Sequence, residues 1–213
     1  FKQTLFNTFF YLIIQVPIML VLALMFASML NNKDLRFKGL FRTCIFLPCA
    51  TSLVSYAMIF RSLFANDGFV NMVLRSFGLS PIMWFGNAWT ARAVIIIALV
   101  WRWTGYNMVF YLSGLQNIEY SVYEAARIDG ASTFQKVRYI SIPLLHNVIC
   151  TCSVLAVTGA LKVFDLPWTM FPKGMPLKST FLTGTYMYYH TMETKNVDYG
   201  SALAVLIVVL GIV

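Results

Sequence analysis

Five residues have the types and spacing that could bind a polar solute inside apolar sequence. Arg102 and Trp103 stand together in VWRWTGYN, and Asn107 follows Arg102 by about one and a half helical turns. Lys162 and Asp165 are three residues apart in LKVFDL. On one helix face these two could neutralise each other, or both could reach the surface at the end of their apolar run. Aromatic faces with a few fixed polar groups suit a polar ligand, although packing against other helices is the alternative for Trp103.

The sequence lacks the common catalytic signatures. GMPLKST has Lys178 and Ser179 but no glycine before the lysine, so it does not form the phosphate cradle of GxxxxGK[ST]. His146 and His190 are far apart with no HExxH, and YLSGL around Ser113 lacks the first glycine of GxSxG. The cysteines show no CxxC spacing, which indicates neither a zinc site nor a disulfide framework. We therefore expect no enzyme, no metal and no cofactor.

A polar segment between two apolar runs, YEAARIDGASTFQKVRYISIPLL, carries helix-start signals. Ser121 with Glu124 and Ser132 with Gln135 are capping-box pairs, so we expect two short helices to begin at these serines. Gly130 lies between the two pairs and can take the left-handed conformation that ends the first helix. The sequence therefore predicts a helix, a sharp turn and a second helix.

The remaining sequence indicates lipid as the solvent. Of the 213 residues 59% are hydrophobic and 11% are charged, and the mean hydropathy is +0.72, which is far too apolar for a soluble domain of this length. A helical span needs about 20 apolar residues. Four runs meet that length: Leu5 to Leu30, Phe41 to Phe64, Arg92 to Leu115 and Leu144 to Leu166. A fifth begins near Tyr199 and reaches Val213 short of a full crossing, so we expect further sequence beyond both ends.

The expected fold is all-α, a polytopic bundle of transmembrane helices. Pro17 and Pro48 lie inside two of the apolar runs and should bend or break their helices. Pro143 suits the first turn of the fourth run, because a helix needs no amide donor at its first positions.

Basic residues predict the orientation of the chain. Four of them share the loop between the first two runs: Lys33, Arg36, Lys38 and Arg42. The positive-inside tendency places that loop on the cytoplasmic side, so 65–90 and 167–197 face outward and 116–143 faces inward. The formal charge of +8 comes from basic residues scattered at the ends of apolar runs rather than in one stripe. Nucleic acid is therefore not expected as a partner.

The residues EAARIDGASTFQKVRYISIP resemble the EAA motif of permease subunits of binding-protein-dependent ABC importers, which reads Glu-Ala-Ala, three residues, Gly, nine residues, then Ile-x-Leu-Pro. The matching positions are Glu124, Ala125, Ala126, Gly130, Ile140 and Pro143, and Ile142 stands where leucine is usual. Further stretches, including NNKDLRFKGLFRTCIFLP and WRWTGYNMVFYLSGLQNIEYSVYEAARIDGAS, are similar to the carbohydrate-uptake branch, on the side of the maltose and glycerol-3-phosphate type first permease subunits.

The resemblance implies a type I ABC importer permease with a six-span core, of which five spans are visible here. It implies one permease domain over 1–213, whose loop at about 116–143 is a cytoplasmic coupling-helix pair that docks on a separate dimer of ATP-binding subunits. The residues expected to act in this coupling are Glu124, Ala125, Ala126, Asp129, Gly130, Ile140 and Pro143. Glu124 would pair with a basic group of the ATPase, although closing its own capping box is an alternative. Asp129 could instead be a helix-end residue without a partner.

The same resemblance implies a multi-pass protein of the bacterial plasma (inner) membrane that imports a sugar together with a second permease subunit and an extracytoplasmic solute-binding protein. The candidates for the substrate path are then Arg102, Trp103, Asn107, Lys162 and Asp165. Two amphipathic helices on the lipid surface are the simpler interpretation of 116–143, but the alanines of EAA would anchor poorly there. A secondary carrier would need paired carboxylates at mid-membrane, and no Asp or Glu falls in the middle of a predicted span. An intramembrane enzyme would need one of the missing motifs.

Overall fold

The computed structural model describes residues 1–32, 35–176 and 178–212 of the chain. Within these ranges the ordered elements are helices and there is no strand, which confirms the all-α prediction. Lys33, which contributed to the predicted orientation, lies outside the described residues, as does Val213 at the end of the fifth predicted span.

The helices follow one another through the whole described chain. In order they are α1 (Lys2–Leu30), α2 (Lys38–Ala50), α3 (Leu53–Leu63), α4 (Phe69–Ser76), α5 (Ala88–Gln116), α6 (Tyr120–Ile128), α7 (Thr133–Lys136), α8 (Ile142–Leu144), α9 (His146–Leu161), α10 (Asp165–Met170), α11 (Thr183–Tyr188) and α12 (Val197–Ile212). Shorter segments have other helical geometry: π turns at Val137–Ser141 and Tyr189–Glu193 and a 3-10 turn at Pro172–Gly174.

Three described stretches are long and apolar enough to cross a membrane as one unit: α1, α5 and the run His146–Met170 formed by α9 and α10. They correspond to the first, third and fourth predicted spans. Within the fourth, α9 ends at Leu161 and α10 begins at Asp165, so the helix is interrupted near its end. The fifth predicted span is α12, a shorter apolar helix of 16 residues.

The second predicted span is not one helix. α2 ends at Ala50, α3 begins at Leu53, and the pair is bent by 99° at this break. Pro48 stands two residues before the end of α2, where its ring and its missing N–H weaken the last turn. Pro17 has no such effect, because α1 continues through it as a single helix. The bend or break predicted for the run that contains Pro48 is therefore confirmed, and together the two pieces are apolar enough for one broken span.

Residue contacts divide the chain into two compact units, each described here by itself. The first unit contains residues 1–16, 51–100 and 156–213, and the second contains 17–50 and 101–155. The helices α1, α5 and α9 each contribute residues to both units. The single permease domain over 1–213 stays a prediction.

Short helices packed on one another build the first unit. α3 packs against α10, while α11 and the π turn at Tyr189–Glu193 pack against α12. Large side chains fill the interior, with Tyr56 of α3 and Leu166 of α10 almost fully buried.

Small residues at the contact between long helices characterise the second unit. Its core combines the C-terminal halves of α1 and α5 with the residues around the start of α9: Ala23, Ala27, Leu30, Met108, Tyr111, Leu112, Leu115, Leu145 and Cys152. α2 lies directly against α5, because a Cβ added at Gly105 would overlap the carbonyl oxygen of Ile45. Such close backbone approach is the usual means of packing helices where lipid removes the hydrophobic driving force between them.

Candidate functional site

The sharp turn predicted at Gly130 is present and ends α6. Gly130 has φ +76°, in the left-handed region that favours glycine. Its N–H donates to the carbonyl of Arg127 at 3.1 Å, and the N–H of Ala131 donates to that of Ala126 at 2.9 Å. These two bonds form a Schellman motif, which satisfies carbonyls left free at the helix end. The left-handed φ alone explains the glycine, since an added Cβ would meet no atom within 4 Å.

The second helix of the pair begins where the capping box predicts. The Gln135 N–H donates to Ser132 Oγ at 3.2 Å, and the Ser132 N–H donates to Gln135 Oε1 at 2.7 Å. The capping box expected at Ser121 is wrong. The N-cap of α6 is Glu119, two residues before the predicted cap, so Ser121 lies inside the first turn and its hydroxyl donates to Glu119 Oε2 at 3.4 Å instead. The side chain of Glu124 therefore has no capping role.

Most of the predicted coupling residues are on the surface of the second unit. Glu124, Ala125, Asp129, Gly130 and Pro143 are exposed, whereas Ile140 is half-buried. Ala126 is the exception, at 8% exposure, because it faces inward from α6. The turn from Asp129 to Ser132, with the helix ends on either side of it, is called the elbow below.

A π turn joins the elbow to the next helical run. The N–H of Ile142 donates to the carbonyl of Val137, a step of five residues, directly before Pro143. Pro143 has no N–H to continue an α-helical pattern, so the wider turn lets the chain remain helical past it. Pro143 is the second residue of the short helix α8, which continues the π turn, rather than lying in the first turn of α9 as predicted, since α9 begins at His146. The hydroxyls of Tyr123 and Ser141 lie 2.9 Å apart and connect α6 to this π turn.

The charges around the elbow are not balanced within the chain. A cavity of about 700 Å³ lies beside α6 and α7, and its lining includes the carboxylate residue Glu124 with the basic residues Lys38, Arg127 and Lys136. Among the described residues, ion pairs occur at Arg75–Asp67 and Lys173–Glu193 but not at Glu124. An exposed carboxylate on a fixed helix is thus available to a group from outside this chain.

Arg102 is engaged with backbone rather than with an open cavity. It is 5% exposed, and its Nη1 and Nη2 donate to the carbonyls of Pro48 and Cys49 at 3.1 and 3.2 Å. These carbonyls belong to the last turn of α2, where the break leaves them without helical donors. The guanidinium also lies 5.6 Å from the ring centre of Trp103. Its buried charge is thereby matched by the negative end of α2.

Asn107 combines burial with an unused acceptor. It is 3% exposed, and its Nδ2 donates to the carbonyl of Trp103 at 3.0 Å and contacts Met19 Sδ at 3.7 Å. Within the described structure its Oδ1 is buried and has no hydrogen-bond partner. A buried amide oxygen in this state favours a ligand that carries an O–H or N–H donor.

Lys162 and Asp165 are separated by the break between α9 and α10. Both are exposed and no ion pair joins these two described residues, so their mutual neutralisation on one helix face is wrong. Their location at the membrane surface stays a prediction. Lys162 lines a cavity of about 330 Å³ together with Phe164 and Tyr188. The rings of Phe164 and Trp168 stack at 6.0 Å, and the Tyr188 ring centre is 4.9 Å from each. The first unit thus holds an aromatic cavity with an ammonium group at its edge.

Sequence reasoning missed a buried polar cluster in the first unit. Arg92, which looked like a residue at a span end, is 8% exposed, and its Nη2 donates to Asn7 Oδ1 at 2.8 Å. Asn7 Nδ2 in turn donates to the carbonyls of Lys178 and Phe181 at 3.2 and 3.1 Å. The signal was available, because an asparagine and an arginine inside apolar runs need partners. Only the tertiary structure shows that Asn7 and Arg92 are hydrogen-bond partners of each other.

A family model described as "Binding-protein-dependent transport system inner membrane component" matches residues 2–213. The lactose transport system permease protein LacF of Rhizobium radiobacter is 43% identical over 99% of this chain and 72% of that protein. The arabinooligosaccharides transport system permease protein AraP of Halalkalibacterium halodurans is 32% identical over 99% of this chain and 67% of that protein.

The fold matches a solved structure across the whole chain. A chain in the crystal structure of a bacterial ABC transporter involved in the import of the acidic polysaccharide alginate superposes with a TM-score of 0.86 at 22% identity. The match covers 99% of this chain and 73% of that one. At this identity the likeness concerns the fold alone.

Proposed function

We propose a function on the premise that this chain belongs to the family of binding-protein-dependent transport system inner membrane components. It is the membrane-spanning permease subunit of an ATP-driven importer in the bacterial inner membrane, and it forms part of the path of a sugar or oligosaccharide. The names of two similar proteins support the substrate class, since one is a lactose and the other an arabinooligosaccharide permease. The chemistry of the hydrolysis belongs to a separate ATP-binding subunit dimer.

The elbow is the observation that carries the coupling proposal. Its Schellman turn and its capping box hold two helix ends in one geometry without help from a tertiary contact at Gly130. A rigid, exposed projection transmits displacement better than a flexible loop, because little of the applied work is lost in reordering the chain. We infer that Glu124, Ala125 and Asp129 contact the ATPase, while Ala126, Ile140 and Pro143 hold the projection in place.

The docking of Glu124 can be tested with a matched pair of glutamates. Glu119 and Glu124 are both exposed and both lie on the same short segment, but only Glu124 belongs to the motif. We expect Glu124→Lys to abolish co-purification of the ATPase dimer and Glu119→Lys to leave it intact. Equal co-purification of the two variants would refute docking at Glu124, and equal loss in both would point to a general effect of charge.

Two groups of residues are proposed for the sugar path, one in each unit. In the second unit, Trp103 offers an aromatic face and Asn107 an unused acceptor for a sugar hydroxyl. In the first unit, Lys162 lines the cavity that also contains Phe164 and Tyr188, and Asp165 follows Phe164 in the sequence. Arg102 stays a candidate because it lies beside Trp103. We propose that it forms part of the wall of the path and does not contact the sugar directly.

Transport assays separate this path from the coupling machinery. In proteoliposomes that contain the ATPase dimer, the second permease subunit and the extracytoplasmic binding protein, uptake should require ATP and should persist when ion gradients are collapsed. Replacing Asn107 with Leu should weaken sugar binding by about fivefold, which corresponds to one hydrogen bond of about 1 kcal/mol. Asn117→Leu, at an exposed turn of the same unit, is the control. Uptake driven by an ion gradient instead of ATP would refute the proposed function.

A further inference from the structure

The segment between α3 and α5 exposes an apolar surface that a loop in water would not keep. Phe69, Met72 and Phe77 are 63%, 58% and 78% exposed, and Val73 completes the same face of α4. These residues recur at steps of three and four, as on one side of a helix. The other side of α4 carries the half-buried Val70 and Leu74 and the buried Asn71. An apolar face of this kind marks contact with a partner or with lipid.

Asn71 prevents α4 from turning this face inward. Its side chain is fully buried, and Nδ2 donates to the carbonyls of Ala65, Asn66 and Ile82 at 3.3, 3.1 and 3.0 Å. Its Oδ1 accepts from the Ile82 N–H at 3.0 Å and from Trp84 Nε1 at 3.1 Å. One side chain thus contacts both ends of the segment, with its two N–H donors shared among three carbonyls and its oxygen accepting twice. The orientation of α4 is built into the fold, because any rotation would leave these buried groups unpaired.

The bonds of Asn71 also tie α4 to the residues just before α5. Ile82 and Trp84 lie a few residues before Ala88, where the membrane-length helix α5 begins. Trp89, in the first turn of α5, is exposed, as expected of a tryptophan at a lipid boundary. α4 is therefore held beside the end of a span rather than projecting far into water.

Lipid is the occupant that the surroundings favour. α3 is in contact with α4 and also exposes apolar side chains, at Val54, Met58 and Ile59. Because α3 belongs to an apolar broken span, acyl chains are the surroundings that suit these side chains. At the polar edge of the segment, Arg75 and Asp67 form an exposed pair at 3.4 Å and so carry no net charge for a charged protein partner.

We propose that α4 is an interfacial helix whose Phe69, Met72 and Phe77 side chains lie in the boundary between headgroups and acyl chains of the leaflet predicted to be the outer one. The helix fixes the level of α3 and α5 in the bilayer. Amphipathic helices of this type bury their apolar face by about 5–10 Å below the headgroup boundary. This inference concerns membrane depth and does not depend on which solute is carried.

Spin-label depth measurements test the proposal. In a background that lacks the four native cysteines, nitroxide labels are placed singly by Met72→Cys and Phe69→Cys, with Asp67→Cys as the water-edge control. The full chain is reconstituted in vesicles of phosphatidylethanolamine and phosphatidylglycerol and calibrated with doxyl lipids. We expect the labels at positions 69 and 72 about 5–10 Å below the phosphate level, more accessible to oxygen than to a nickel chelate, and the label at position 67 with the opposite preference.

Two results would overturn the interfacial helix. Labels at positions 69 and 72 with the same nickel accessibility as position 67 would place α4 in water. Labels that lose nickel accessibility only when the extracytoplasmic binding protein is added would make this face a protein docking surface. Either result is distinguishable from a failure of the transport proposal, because label depth is measured without ATP or substrate.

Discussion

Replacements of Gly130 test whether the elbow requires glycine for its backbone conformation or for its small size. An L-residue other than glycine costs about 1–2 kcal/mol in the left-handed region, because its Cβ approaches the following carbonyl oxygen. Asparagine tolerates this region far better than alanine does, although its side chain is larger. No atom lies within 4 Å of a Cβ added at Gly130, so the alanine side chain meets no steric obstacle in this chain and the asparagine side chain begins in open space. Conformation and size therefore predict opposite rankings.

If conformation decides, Gly130→Ala lowers the equilibrium ratio of the native elbow to its other conformations by a factor of about 5 to 30. The affinity of the purified permease for the ATPase dimer should fall by up to the same factor, and sugar imported per ATP should fall with it. Gly130→Asn should retain most of both. The total stability of the permease in detergent should change by no more than about 2 kcal/mol in either variant, since only one turn is strained.

The measurement is a titration of the ATPase dimer onto immobilised permease, followed by paired uptake and ATP hydrolysis in proteoliposomes. A weaker complex for Asn than for Ala would mean that a surface of the partner comes within reach of Gly130, and would refute the conformational explanation. Wild-type affinity and coupling in both variants would refute any role of the turn in docking.

Three further variants test other contacts. Arg102→Met removes two charge-assisted hydrogen bonds to carbonyls of α2, each worth about 1.5–3 kcal/mol. The thermal stability of this variant in detergent should fall well below that of the exposed control Arg36→Met. Equal stability of the two variants would refute the capping of α2 by Arg102. Asn71→Asp has nearly the same size but no amide donor, and limited proteolysis should cut the α3–α5 segment as readily as in Asn71→Ala. Wild-type resistance to proteolysis would refute the role of the Asn71 side chain in holding this segment together. Burial beside the rings of Tyr186 and Tyr199 lowers the pKa of His190, so the folded state binds fewer protons than the unfolded state. The free energy of unfolding should therefore be highest above about pH 6.5 and should decline as the pH falls. Unfolding of His190→Gln should lack this pH dependence, and an unchanged pH dependence would refute the explanation.

Local rules predicted the elbow because its determinants are local. A left-handed glycine and a serine with a glutamine three residues later act on their own backbone, and both appear where the sequence places them. Ser121 shows the limit of the rule. The same spacing occurs there, but the N-cap of α6 is Glu119, and a shift of two residues removes the capping box entirely.

The two prolines show why break points were harder to predict. Pro17 and Pro48 both lie in apolar runs, yet only the run with Pro48 is broken. A broken helix in an apolar setting needs donors for the carbonyls it frees, and Arg102 supplies them to α2. Whether a proline breaks its helix thus depends on a residue in another helix.

The sequence by itself determined the solvent, the approximate spans and the elbow, since apolar run length, turn chemistry and capping act over fewer than about 30 residues. The tertiary structure alone decided which polar groups meet. Arg102 and Pro48 are 54 residues apart, and Arg92 and Asn7 are 85 apart. No periodicity in the sequence predicts these pairs. A buried polar group must be hydrogen-bonded, but many different residues could have supplied the bond.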